Sequence, residues 1–168
     1  MNKELFKKLK NMTAAEVYAA VYSDPLTGIQ NRLAWDEVYA NPARYGCVAI
    51  VDLDSLKYIN DNIGHAEGNA YIKHLATLLA STFGEDNVAL LGGDEFGIMC
   101  DTPRRAQSAL NGLRFLFPGF TYGIGDCLDS ADLSLIAAKN ERERTGERAG
   151  RGECPPWLGD GSDRLEAC

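Results

Sequence analysis

The sequence predicts an α/β domain with one mixed sheet covered by helices, on three observations. Segments of helical and of strand periodicity alternate along the chain. Cys47-Val48-Ala49-Ile50-Val51 is a continuous apolar run rich in β-branched residues, which suits a strand buried on both faces. Val88 to Leu91 and Phe96 to Met99 read as two strands joined by Gly92-Gly93-Asp94-Glu95, a glycine-led hairpin turn. At 168 residues, 45% hydrophobic and 24% charged, the chain has the size and mix of one domain that buries its own core, and a second full domain does not fit.

In chain order, residues 1–22 carry Leu5, Leu9, Met12, Val17, Ala20 and Val21 at helical spacing, with Thr13 and Glu16 set as a capping box, and predict an N-terminal helical segment. Asp24-Pro25-Leu26-Thr27-Gly28 is turn chemistry, and a helical pattern resumes over 31–38. The strand at 47–51 ends in the carboxylates Asp52 and Asp54. A helix over about 66–83 follows from Ala70, Ile72, Leu75, Leu78 and Leu79 and from the stop at Gly84. Further along, the pattern predicts a helix over about 103–115, a strand over 120–124 and a helix over about 131–142. From Thr145 the composition turns to Gly, Arg, Pro and acidic residues, so 23–144 is read as the domain and 145–168 as an irregular tail held by few contacts, Trp157 among them.

Composition narrows the function. No apolar stretch approaches the roughly 20 residues that span a bilayer, and the start lacks a secretory pattern, so no membrane association and a cytoplasmic location are expected. Five cysteines lie scattered without zinc-type spacing and read as free thiols. A net charge of −7 argues against nucleic acid as a partner.

The chemistry-bearing residues are the acids. If the strand before Asp52 and Asp54 neighbours the hairpin carrying Asp94 and Glu95, the carboxylates converge at one sheet end, where their mutual repulsion favours a divalent cation. Oxygen ligands suit magnesium or manganese over zinc. The spacing alone serves equally well a polar hairpin turn with Asp52 as a strand-end cap.

Five segments in register go further. Asp24-Pro25-Leu26-Thr27-Gly28-Ile29-Gln30-Asn31-Arg32, Asp52-Leu53-Asp54-Ser55-Leu56-Lys57-Tyr58-Ile59-Asn60-Asp61, Gly64-His65-Ala66-Glu67-Gly68-Asn69, Gly92-Gly93-Asp94-Glu95-Phe96 and Ala138-Lys139 resemble the successive signatures of GGDEF diguanylate cyclases. The resemblance implies a palm-like, mostly antiparallel sheet and a reaction in which two nucleoside triphosphates condense into a cyclic dinucleotide in a transient homodimer, with two Mg²⁺ (or Mn²⁺) per site. It implies Asp52, Asp94 and the Leu53 carbonyl as metal ligands, and Glu95 as support for the metals or the attacking hydroxyl. It implies Gly92 and Gly93 as room for the nucleotide, Lys57 and Lys139 as phosphate contacts, Asn60 as a base contact and Leu26 as a border of the base pocket. His65 is assigned a structural role.

Four departures bear on activity. Asn69 stands where the family carries an aspartate that accepts from guanine's Watson–Crick edge; an asparagine amide complements adenine instead, so GTP, ATP or mixed use stays open. Phe83 replaces the arginine of the inhibitory product site, leaving Asp86 without its guanidinium. Leu90 replaces an arginine before the glycines. Glu141-Arg142-Glu143-Arg144 replaces a glycine-arginine pair, with Arg142 or Arg144 as a substitute phosphate contact. The rival to a synthase is a nucleotide-binding or interaction domain without turnover.

Overall fold

The computed structural model describes residues 10–40 and 44–145. Its elements are α1 (Ala14–Tyr22), β1 (Gln30–Asn31), α2 (Arg32–Tyr39), β2 (Cys47–Leu53), α3 (Leu56–Asn62), α4 (His65–Phe83), a 3-10 turn (Glu85–Asn87), β3 (Val88–Leu90), β4 (Glu95–Cys100), α5 (Pro103–Leu116), β5 (Phe120–Gly125) and α6 (Leu128–Thr145). The strands form one sheet in the order β1-β3-β4-β2-β5. Only β1 against β3 is parallel; the other pairings are antiparallel. The mixed, mostly antiparallel sheet with helices is therefore the observed fold.

Strand alternation divides the core in two. Cys47, Ala49, Val51 and Leu53 of β2 face the larger cluster with Leu75, Leu79, Leu110 and Phe117, from α4, α5 and the residue after α5. Val48 and Ile50 face the smaller one with Trp35 of α2 and Ala131 and Leu135 of α6. α6 can lie so close because β5 presents glycine to it: a Cβ on Gly123 would stand 2.2 Å from both the Ala131 carbonyl oxygen and the Leu135 nitrogen. Helix and sheet backbones here are in direct contact.

The predicted capping box forms. Glu16 N donates to Thr13 Oγ1 at 3.2 Å, and Thr13 N donates to Glu16 Oε2 at 2.7 Å. None of α1's residues is buried. The Asp24 turn also forms, with Asp24 Oδ1 accepting from Leu26 N at 3.1 Å and Thr27 N at 2.8 Å. Three elements lie outside the prediction: α3, which starts directly after Ser55 in the left-handed region (φ 62°), the two-residue β1, and the 3-10 turn at Glu85–Asn87. β2 extends through Leu53, so Asp52 sits within the ladder, and α6 runs from Leu128 to Thr145, longer than the pattern predicted. The predicted Leu5 and Leu9 positions and the tail beyond 145 lie outside the described residues.

Candidate active site

The acids do converge, and strand register is the reason. β2 and β4 are adjacent, and Asp52 is paired directly with Glu95, so both side chains leave the same face of the sheet. Beyond the pair the ladder continues into the hairpin, where Leu53 N donates to the Asp94 carbonyl at 2.8 Å. Leu91 N donates to the Glu95 carbonyl at 2.8 Å and closes the turn around Gly92 and Gly93. A Cβ on Gly93 would meet no atom within 4 Å, and one on Gly92 would come no closer than 3.6 Å, to Glu95 Oε2. Among the described residues, nothing fills the space beside these glycines.

α6 delivers the cations. Its sheet-facing positions run Ala131, Leu135, Lys139, Arg142, and the facing row on β2 and just beyond it runs Val48, Ile50, Asp52, Asp54. Apolar residues meet apolar residues at one end, and cations meet acids at the other. Lys139 Nζ lies 2.7 Å from Asp52 Oδ2, and Arg142 Nη1 lies 2.6 Å from Asp54 Oδ2. Asp54 Oδ1 accepts from Thr121 Oγ1 at 2.9 Å, and Arg142 also donates to Thr121 Oγ1. Burial pushes the Asp52 carboxyl pKa up; the hydrogen bond and charge of Lys139 pull it down, the nearby charges of Asp94 and Asp54 raise it again, and the net shift is upward. A cation beside this cluster offsets the rise, because an opposite charge favours the ionised carboxylates.

The expected phosphate contact Lys57 and the expected base contacts Asn60 and Asn69 sit on α3 and α4. Lys57 is exposed and Asn60 half-buried on α3; Asn69 is exposed in α4, next to buried Gly68. The Asn60 amide uses the place of a missing side chain, since a Cβ on Gly68 would stand 1.9 Å from Asn60 Oδ1. Leu26 packs against the larger core. His65 is exposed at the start of α4. Phe83 is 6% exposed within the larger core, while Asp86 is exposed in the 3-10 turn, so no guanidinium stands at Phe83's place beside it. Leu90 packs against the same core.

Among the described residues no three His, Cys, Asp or Glu side chains form a ready metal cage. The oxygen donors of Asp52 and Asp94 nevertheless fit Mg²⁺, which takes one or two carboxylates from a protein and completes its shell with substrate phosphates and water. Thr121, which links Asp54 to α6, was missed from sequence. Its only signal is alternation, as the buried polar residue on β5 opposite Asp52.

Residues 21–114 match the family described as "Diguanylate cyclase, GGDEF domain". The chain is 33% identical over 137 residues to the probable diguanylate cyclase DgcE of Escherichia coli (strain K12), covering 71% of this chain and 12% of DgcE. It is 37% identical over 92 residues to the cyclic di-GMP phosphodiesterase PdeB of Shewanella oneidensis, covering 52% of this chain and 11% of PdeB. The chain thus spans a small part of these curated relatives. The Vibrio cholerae LapD S helix-GGDEF-EAL structure, bound to c-di-GMP, shares the fold with a TM-score of 0.67 at 21% identity, over 83% of this chain and 39% of that one. No helix among the described residues is long and apolar enough to cross a membrane. On the family match, with acids, glycines and lysine in register on the matching fold, the chain belongs to the GGDEF domain family.

Proposed function

We propose that this domain is a cyclic-dinucleotide synthase that joins two nucleoside triphosphates into a 3′,5′-cyclic dinucleotide. The observation that carries the reading is the placement of Asp52, Asp94 and Glu95 at one sheet end, with Lys139 Nζ 2.7 Å from Asp52 Oδ2. Asp52, Asp94 and the Leu53 carbonyl would hold Mg²⁺ (or Mn²⁺), two ions per site, which when bound lower the pKa of the attacking hydroxyl and offset charge on the phosphoryl oxygens. Glu95, opposite Asp52, supports the metals or orients the hydroxyl. The open space at Gly92 and Gly93 admits the nucleotide, and Lys57 and Lys139 neutralise its phosphates. Before substrate arrives Lys139 balances Asp52; with a triphosphate present its ammonium has a second anion to serve.

Each site holds one nucleotide, so ring closure needs two domains facing each other as a transient homodimer. Each 3′-oxygen bonds to the partner nucleotide's α-phosphorus while the bond to pyrophosphate breaks, twice per product, and each hydroxyl proton is released to solvent. GTP follows from the family; Asn69 favours ATP or mixed use, with Asn60 and the Leu26 turn bordering the base. Incubating purified protein with GTP, ATP or both and Mg²⁺, then identifying products by mass, tests the reading: a cyclic dinucleotide supports it, and its absence from every mixture contradicts it.

A second reading, a nucleotide-binding or interaction module without turnover, is favoured by one observation. Asp52 already has its countercharge in Lys139. The match to a protein named a phosphodiesterase is compatible with it. Binding of 3′-deoxy-GTP without product from GTP or ATP would select this reading.

A further inference from the structure

Arg142 stands one turn beyond Lys139 on α6, and both could be taken for phosphate contacts. Their surroundings differ. The Lys139 side chain is 42% exposed, whereas those of Arg142 and Asp54 are each 16% exposed. Arg142 Nη1 is engaged by Asp54 Oδ2 at 2.6 Å, by Thr121 Oγ1, and by the Phe120 carbonyl at 3.4 Å. Asp54 is held in turn: its Oδ1 accepts from Thr121 at 2.9 Å and its N–H donates to the Gly119 carbonyl at 2.9 Å. A guanidinium pulled from this set would leave a largely buried carboxylate without its countercharge, a costly exchange for one phosphate contact.

We propose that Arg142 and Asp54 are positioning residues: their ion pair pins the last turns of α6 to the end of β2, and so sets Lys139 where a triphosphate binds. Arg142 itself does not touch phosphate. Among the contacts that hold the helix on the sheet, three follow one another along it: the glycine contact at Gly123, the Lys139–Asp52 pair and the Arg142–Asp54 pair. The middle one must loosen when Lys139 turns to a phosphate, and the two flanking contacts keep the helix in place while it does. This inference rests on the nucleotide-binding reading above.

The test is calorimetric titration of the full chain with 3′-deoxy-GTP and 3′-deoxy-ATP in Mg²⁺, probes that lack the attacking hydroxyl and report binding alone. Asp54→Asn is expected to weaken binding about tenfold, and the double variant with Lys139→Ala to bind no more weakly than Lys139→Ala alone, because the first change acts through the second residue. Thr121→Val, which keeps both charges, is the second variant in case Asp54→Asn does not fold; it is expected to weaken binding about threefold. If Asp54→Asn bound as well as the natural protein or more tightly, a freed Arg142 would be reaching phosphate, or the pair would not matter, and the proposal would be overturned. Independent, multiplying losses from Asp54→Asn and Lys139→Ala would overturn it as well, as would unchanged binding by Thr121→Val. If the natural protein bound neither probe, the nucleotide-binding reading would fall and this inference with it, a result distinct from normal binding by the variants.

Discussion

Lys139 Nζ and Asp52 Oδ2 lie 2.7 Å apart, bridging α6 to β2, the strand between β4 and β5, at the end where Glu95 and Asp94 emerge. The pair joins a half-exposed ammonium to a carboxylate whose pKa burial pushes up. The net shift is upward, and that has a consequence for stability. A carboxyl whose folded pKa is raised binds more protons folded than unfolded between its two pKa values, so stability falls as pH rises through the folded value and the cost is fully present at neutral pH. Without divalent metal, Asp52→Asn is therefore expected to melt higher than the natural protein at pH 7. The gain should vanish below the ordinary aspartate pKa, where both proteins are neutral at this site. Melting curves at pH 7 and pH 3 check it; a gain that grew on acidification would have the wrong sign.

The close approach of α6 to β5 predicts a contrast between two glycines. Gly123→Ala drives a methyl into backbone atoms 2.2 Å away and should cost about 1–3 kcal/mol or more. Gly93→Ala meets nothing within 4 Å, so stability should hold while triphosphate binding falls, because the space is the substrate's. Urea denaturation and nucleotide titration on both variants separate the two effects.

Most of the fold was legible because it rests on long, periodic segments. The helix with Leu75 and Leu79, the buried strand at Cys47–Val51 and the glycine hairpin lie where the pattern puts them. α3 escaped because it is one short helix with Leu56 and Ile59 as its buried residues, entered through a left-handed Ser55 that periodicity does not signal. β1 is two residues long and exists through its pairing with β3 and a single bridge from Gln30 to Ser23. The convergence of Asp52, Glu95 and Asp94 was readable once β2 and β4 were taken as neighbours. The engagement of Arg142 with Asp54 was not, since it depends on how closely α6 lies on Gly123, a distance that no sequence spacing encodes.

Phe83 predicts the absence of a product site around Asp86. Calorimetry with cyclic di-GMP is expected to give no submicromolar binding; saturable binding of that strength, lost in Asp86→Ala, would contradict this. Phe83→Arg should not restore a site, because the side chain is 6% exposed in the larger core and an unpaired buried charge costs about 3–5 kcal/mol. The variant is expected to be unstable rather than to bind.

Asn69 predicts a shift in base preference. Exposed in α4, one residue after the Gly68 against which the Asn60 amide packs, it offers one acceptor and one donor where guanine needs two acceptors. Asn69→Asp should move preference toward GTP by roughly tenfold to a hundredfold, the equivalent of about 1–3 kcal/mol for matched hydrogen bonds discounted for hydration. Competition between GTP and ATP at one Mg²⁺ concentration checks it, and an unchanged ratio would mean that position 69 does not read the base.

The most direct test of the central claim is product formation by the natural protein and by Asp94→Asn, read by mass from GTP and ATP with Mg²⁺. Asp94 lies half-buried in the hairpin, so the substitution should leave the melting temperature near that of the natural protein. The account predicts a cyclic dinucleotide with pyrophosphate from the natural protein and none from the folded variant. Undiminished turnover by Asp94→Asn, or no product from the natural protein while 3′-deoxy-GTP still binds, would contradict it.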